Sequence, residues 1–227
     1  MQPYFFPYIG YFQLISTADH FVVYDNIQHT KKGWINRNRF LRNGEDIVFS
    51  LPLANAAEGL DVRDREISPE FRSDKLLNAL RESYRKAPHY REVMELVARV
   101  VQQEERNLFH FLHFSILATC AYLGLKREII ISSEIDVDHT LRADDRIKAI
   151  CHKLGAKTYI NPIGGKELYS KEDFACHSID LRFLKALDFQ YPQFGLPFIP
   201  WLSIIDVMMF NSPADIRKQL DSGYQLL

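Results

Sequence analysis

Several large functional classes are excluded by what this sequence lacks. Its three cysteines, Cys120, Cys151 and Cys176, are odd in number and far apart, so they make neither a disulfide framework nor a zinc-ligand spacing. A reduced, cytoplasmic protein without a structural metal is the expectation. Charge of one sign is missing too, since 28 basic side chains stand against 29 acidic ones. No global field then favours nucleic acid or an anionic membrane. The most apolar windows, 108–125 and 201–210, are interrupted by His or Asp or are too short for a bilayer, and no charged leader precedes an apolar stretch. Linkers, internal repeats and low-complexity segments are also absent, and 227 residues suit one domain over 1–227.

What the chain has is an unusual opening. Residues 1–12, Met-Gln-Pro-Tyr-Phe-Phe-Pro-Tyr-Ile-Gly-Tyr-Phe, crowd aromatics around Pro3 and Pro7. Each proline fixes its own φ and biases Gln2 and Phe6 toward extended backbone, so the stretch predicts a stiff loop entering a helix near Ile9. A second unusual run, Lys31 to Arg39, interleaves four cations with Trp34, Asn36 and Asn38 and is too polar for a buried strand.

The rest reads as alternating elements. A helix is expected over 9–18 and a buried strand over 19–25. Asn43-Gly44, flanked by two strand-like runs, predicts a β-hairpin within 37–53. Ser68-Pro69-Glu70 is expected to open a helical block that runs to Leu125 and is split at Ala87-Pro88, with one apolar stripe over 90–101. Strands over 128–132, 157–160 and 179–183 then alternate with helices over 141–154 and 201–210, and Ser212-Pro213 starts a last short helix. This spacing predicts an α/β fold with a doubly wound, mostly parallel sheet, carrying the hairpin and a helical insertion over 69–125.

Four segments, taken in order, resemble the WbqC-like family. They are Gln2 to Pro7 with Gly10-Tyr11-Phe12, Lys31 to Asn38, Tyr159-Ile160-Asn161-Pro162 with Gly164-Gly165-Lys166 and Leu168-Tyr169, and Leu202 to Asp206. The resemblance implies a Rossmann-like frame and a role in bacterial surface-polysaccharide biosynthesis. The implied activity is a transferase moving an aminoacyl or acyl group to the amine of a nucleotide-linked amino sugar. A carrier-protein thioester, with its phosphopantetheine arm, is the implied donor and partner. A weaker architectural likeness sets Tyr8-Ile9-Gly10-Tyr11 where nucleotidylyltransferases carry His-x-Gly-His. Neutral phenols are poorer donors to a phosphate than an imidazole pair, which disfavours adenylyl transfer and leaves nucleotide or pantetheine binding.

Each segment has a plain alternative. Residues 2–12 could merely plug the sheet's carboxyl edge; as a ligand wall, Gln2 and Pro3 anchor it and Tyr4, Phe5 and Tyr8 face a base or sugar. Residues 31–39 could be a solvated turn; as a clamp, Arg37 grips phosphate, Lys31 and Lys32 add charge, and Trp34 and Asn36 contact the sugar. Paired Gly164 and Gly165 could be a tight turn; as a site, their amides approach an anion with Asn161, Lys166 and Tyr169 beside them. Asp206, inside an apolar helix, must be paired, with Arg37 or Lys166 as expected partners, or must open on a cavity. Asp206, Asp25 and His29 are the candidate bases for an attacking amine. His110 with His113, Asp136 to His139, and Cys176-His177 read as core, cap and surface features. The alternative functions are a non-catalytic nucleotide-sugar or carrier-binding subunit and a nucleotidylyltransferase-like enzyme.

Overall fold

The computed structural model describes residues 1–227 apart from Ala56 and Arg142. Among the described residues the chain is mixed α/β, with eight α-helices and three small sheets. Helix α1 (Ile9–Thr17) leads into strand β1 (His20–Val23). Strands β2 (Arg37–Arg42) and β3 (Glu45–Ser50) form the expected hairpin, turning through Asn43 and Gly44, both at positive φ. That is the turn for which Asn-Gly is selected.

The helical block comprises α2 (Ser73–Tyr84), α3 (Tyr90–Val101) and α4 (Leu108–Tyr122). The block begins later than expected. Ser68-Pro69-Glu70 forms a turn, closed by Phe71 N–H donating to Ser68 O at 3.0 Å, while Ser68 N–H is tied to Pro52 O and Ile67 N–H to Arg106 O. These cross-chain bonds hold the segment extended, so helix starts only at Ser73. Helix α3 does bury the expected stripe of Val93, Met94, Leu96, Val97, Val100 and Val101.

Strand β4 (Glu128–Ile131), helix α5 (Ala143–Lys153), strand β5 (Thr158–Pro162), helix α6 (Lys171–Cys176) and strand β6 (Asp180–Ala186) follow. The expected helix over 141–154 includes Arg142, which lies outside the described residues. Helices α7 (Ile204–Phe210) and α8 (Pro213–Ser222) and strand β7 (Tyr224–Leu226) end the chain. The helix expected from Trp201 starts three residues later, because Trp201 sits at φ 61 and Ser203 is the cap.

The sheets meet the expectation only in part. β1 pairs with β4 in parallel, β5 pairs with β6 in parallel, and β7 adds antiparallel to β6. The described strands do not make one continuous doubly wound sheet. Helix α1 packs against β1, β5, β6 and α8, and so bridges the two parallel pairs. A large apolar core joins the N-terminal aromatics to the helical block, and a smaller one lies around Phe174, Leu181 and Phe183. No helix among the described residues is long and apolar enough to cross a membrane.

Candidate functional site

The N-terminal loop is bent by one strained residue. Phe6 is fully buried at φ 43, a conformation a bulky residue adopts only when its surroundings impose it. Asn38 does this from β2: its Nδ2 donates to Phe5 O at 3.1 Å and Phe6 O at 2.7 Å. Ser203 Oγ donates to the same Phe6 O at 2.7 Å, and Ile204 N–H donates to Pro7 O at 3.0 Å. The loop is thus clasped between the hairpin and the start of α7. Phe5 and Phe6 turn into the core, while Gln2, Tyr4, Pro7 and Tyr8 line a cavity of about 1170 Å³.

One end of that cavity opens at the carboxyl ends of β1 and β5, where parallel α/β sheets bind ligands. Tyr24 follows β1 there, and Asn161 and Pro162 end β5, with Gly164, Gly165 and Tyr169 just beyond. Trp34 reaches in from the loop before the hairpin, and Trp201, 59 % exposed, stands over Tyr8 with ring centroids 6.0 Å apart. Burial pushes the Tyr4 and Tyr8 phenols above their ordinary range, so both are neutral hydrogen-bond donors at pH 7. Tyr4 OH donates to Gln2 Oε1 at 3.2 Å.

Two guanidiniums set the charge at this end. Arg39 donates to Asp46 at 2.7 Å and to Trp201 O at 3.1 Å, lies 5.5 Å from the Trp34 ring centroid, and keeps its Nε without a partner. Arg146 of α5 lies 4.9 Å over the Tyr24 ring and donates to Asn26 O at 3.3 Å. The one acidic residue along the cavity wall, Asp19, precedes β1 at the opposite end. The mouth therefore suits an anion with an aromatic or sugar moiety.

The structure brings together Gln2, Tyr4, Tyr8, Trp34, Asn161, Gly164, Gly165 and Tyr169 on this wall. Pro3 is buried behind it. The remaining clamp residues stand apart. Lys31 pairs with Glu58 at the surface, and the Lys32 carbonyl accepts from Arg37. Arg37 itself lies 5.3 Å from the Trp34 centroid, off the wall. Asn36 donates to Leu51 O at 2.8 Å and meets His29 Nε2 at 3.2 Å. Lys166 is exposed outside the lining.

None of the three candidate bases lies on the wall. Asp25 accepts from Ser132 Oγ at 2.9 Å and Ser133 N–H at 3.0 Å; burial works to raise its pKa, but these bonds hold it below the ordinary carboxylate range. Burial holds the His29 imidazole below its usual value against the bond to Asn36, and the Arg65 charge adds to the lowering. Asp206 is fully buried and accepts from Tyr84 OH at 2.7 Å, Tyr191 OH at 2.7 Å and Gln193 Nε2 at 2.8 Å. The partner expected for Asp206, Arg37 or Lys166, is replaced by these three neutral donors, and burial raises its pKa. Tyr11 is equally removed, buried with its hydroxyl donating to Gln2 O.

Arg39, Arg146, Tyr24, Asn38 and Trp201 are site residues that sequence reasoning missed as wall or support. Arg39 had a signal: two residues from Arg37 along a strand, it shares the face that carries the Trp34 contacts. Arg146 had none, since a lone arginine in the first turns of a helix reads as solvated.

Residues 2–218 match the WbqC-like protein family. The chain belongs to that family. A WbqC-like chain of this length is also 25% identical over 223 residues to uncharacterized protein Rv1507c of Mycobacterium tuberculosis, covering 97% of this chain and 95% of that protein. No solved structure matches. Among the described residues, no group of three or more His, Cys, Asp or Glu side chains could hold a metal ion.

Proposed function

We infer that this WbqC-like protein is a cytoplasmic transferase of surface-polysaccharide biosynthesis, built on a Rossmann-like frame. Its acceptor is a nucleotide-linked amino sugar, and its donor is an acyl or aminoacyl thioester on the phosphopantetheine arm of a carrier protein. The observation that carries this reading is the placing of Arg39 and Arg146 beside an aromatic wall, at an end of the cavity where no carboxylate lines the wall, although Arg39 is ion-paired with Asp46. Guanidiniums suit a diphosphate, and tyrosine and tryptophan faces suit a base or sugar.

The chemistry is amide formation. The neutral sugar amine attacks the thioester carbonyl, the C–N bond forms, the C–S bond breaks, and the amine's proton ends on the departing thiol. No nominated carboxylate reaches the wall, so the rate gain comes from holding donor and acceptor together, with the Tyr4 and Tyr8 phenols as donors for the developing oxyanion. The same burial of Asp25 and Asp206 favours, as a second reading, a binding subunit that presents the sugar to another enzyme.

Calorimetry with UDP- and dTDP-linked amino sugars tests binding, and transfer of labelled glycine from a loaded carrier tests catalysis. Arg39→Ala and Arg146→Ala should each weaken binding about tenfold, near 1.4 kcal/mol. Unchanged affinity in both variants refutes the site. Binding without any labelled amide leaves the binding subunit.

A further inference from the structure

Of the chain's ten glycines, five sit at positive φ and four have a neighbouring atom within 3.0 Å of the place a Cβ would take. Those nine are glycine for a reason inside the fold. Gly164 has neither reason: its φ is one that any residue adopts, and no described atom comes within 4 Å of its missing Cβ. It lines the cavity. Glycine at this point of the wall leaves room for something outside the chain.

The polar groups around Gly164 are neutral. Tyr159 and Asn161, two residues apart on β5, share one face of the strand, and Tyr169 follows on the loop beyond. The Tyr159 and Tyr169 rings meet edge to face at 6.2 Å; Phe174 stacks on the first at 5.6 Å and meets the second edge-on at 5.9 Å. Both rings are therefore held in place. Neither hydroxyl bonds another described residue, and burial keeps both phenols protonated. The Asn161 carboxamide is held by a close approach, since a Cβ at Gly165 would stand 2.4 Å from its Nδ2.

Phenols and a carboxamide both donate and accept, as sugar hydroxyls do, whereas a phosphate only accepts and would face the Asn161 oxygen without a proton between them. The charges that suit a diphosphate come from Arg39 and Arg146. The indole faces that suit a base come from Trp34, ahead of the hairpin, and Trp201, ahead of α7. We propose that Gly164, Tyr159, Asn161 and Tyr169 form the subsite for the sugar ring of the substrate, with the ring against the bare Cα of Gly164 and its hydroxyls bonded to the phenols and the carboxamide. This rests on the reading of the wall as a nucleotide-sugar site. The nucleoside then lies toward Trp34 and Trp201, and Gly164 sets how large a substituent the ring can carry.

Binding is measured apart from transfer. Trp34 and Trp201 are the chain's two tryptophans, so indole fluorescence reports the mouth alone. The full chain is titrated with UDP- and dTDP-linked amino sugars and with UDP and dTDP. Wild type should bind a conjugate at least about tenfold more tightly than its bare diphosphate. Gly164→Ala sets a methyl where the ring should lie, so conjugate affinity should fall about tenfold while that for the diphosphate stays within about twofold. Its Tm should hold or rise, because the methyl meets open space at an ordinary φ. Asn161→Ala and Tyr169→Phe should each cost the conjugate about fivefold and the diphosphate nothing. Unchanged conjugate affinity in Gly164→Ala, or equal losses for conjugate and diphosphate, overturns the sugar subsite and leaves the nucleotide site standing. A loss confined to glycyl-pantetheine overturns it too, by assigning this wall to the donor. Wild type that binds neither conjugate nor diphosphate overturns both readings.

Discussion

Replacing Asn38 by alanine removes the hairpin's half of the clasp on the N-terminal loop and leaves the half supplied by Ser203 and Ile204. The side chain makes three bonds: Nδ2 to Phe5 O and to Phe6 O, and Oδ1 accepting from Arg39 N–H at 2.8 Å. At about 1 kcal/mol for each buried bond, Asn38→Ala should cost about 3 kcal/mol, with Phe6 O still served by Ser203. In a chain of this size that is a Tm loss of about 6–12 °C, read by calorimetry and checked by urea unfolding. Ser203→Ala removes the other donor to Phe6 O and the cap on Ile205 N–H, about 2 kcal/mol together. The double variant leaves the Phe6 carbonyl buried with neither side-chain donor, so its loss should exceed the sum of the single losses by about 1 kcal/mol. Asn38→Asp should be worse than alanine, because a carboxylate would face two carbonyl oxygens. A loss below about 1 kcal/mol for Asn38→Ala, or strict additivity with Ser203→Ala, would refute the idea that these two side chains hold Phe6 in its strained conformation.

Gly10→Ala would set a methyl against the Tyr8 ring, a movable group, so Tm should change by less than about 2 °C while affinity for the nucleotide sugar falls; unaltered affinity removes Tyr8 from the wall. Asp206→Asn isolates a titration: burial raises the Asp206 pKa in the folded state, so its contribution is full below the unfolded value and is lost as pH rises through the folded one. The Tm advantage of wild type over Asp206→Asn should therefore shrink between pH 4 and 7, and a widening gap would contradict the assignment. Lys148, nearly buried, bridges Asp173 at 2.8 Å, Asp145 at 3.0 Å and Asp144 at 3.4 Å. Lys148→Met should lower Tm most above the carboxylate range, and its cost should shrink only as pH falls below that range. Asp173, held low chiefly by its bond to Lys148, keeps its charge in the wild type until pH passes its lowered folded value. A cost unchanged down the acid limb would contradict the pairing.

The sequence was legible where local rules and tertiary demands agree. Asn43-Gly44 can turn a hairpin in few ways, and the three- and four-residue apolar spacing of α3 has one buried face. Helix starts failed where tertiary bonds won: Ser68 caps a turn because its backbone is held by Pro52 and its neighbour by Arg106, and Trp201 is left-handed because Arg39 holds its carbonyl. The site showed the same division. Segments 2–8 and 161–169 could be assigned to a wall because prolines and glycines mark backbone that must bend near a ligand. The cations could not be sorted, since which of Lys31, Lys32, Arg37, Arg39 and Lys166 faces the cleft depends on strand alternation and on Trp34, and composition records neither. Arg146 is brought to Tyr24 only by the crossover from β4 to β5.

The opening dodecapeptide is core and ligand wall at once, and that coupling has a measurable consequence. Phe5, Phe6, Tyr11 and Phe12 are fully buried, while Gln2, Tyr4 and Tyr8, in the same loop, face the cavity. A ligand that needs the loop in place binds only the folded, clasped state. At a concentration of about 100 Kd it should add about 2.7 kcal/mol of stability, or about 5–11 °C in Tm. If Asn38→Ala lets the loop leave its place for part of the time, apparent affinity falls by the fraction still in place. Local exchange at residues 5–8 and affinity should then change by the same factor across Asn38→Ala, Ser203→Ala and their combination. Affinity that stays constant while the loop opens would mean that the ligand is held by Arg39, Arg146 and the 161–165 loop alone, with the aromatic segment serving only the core.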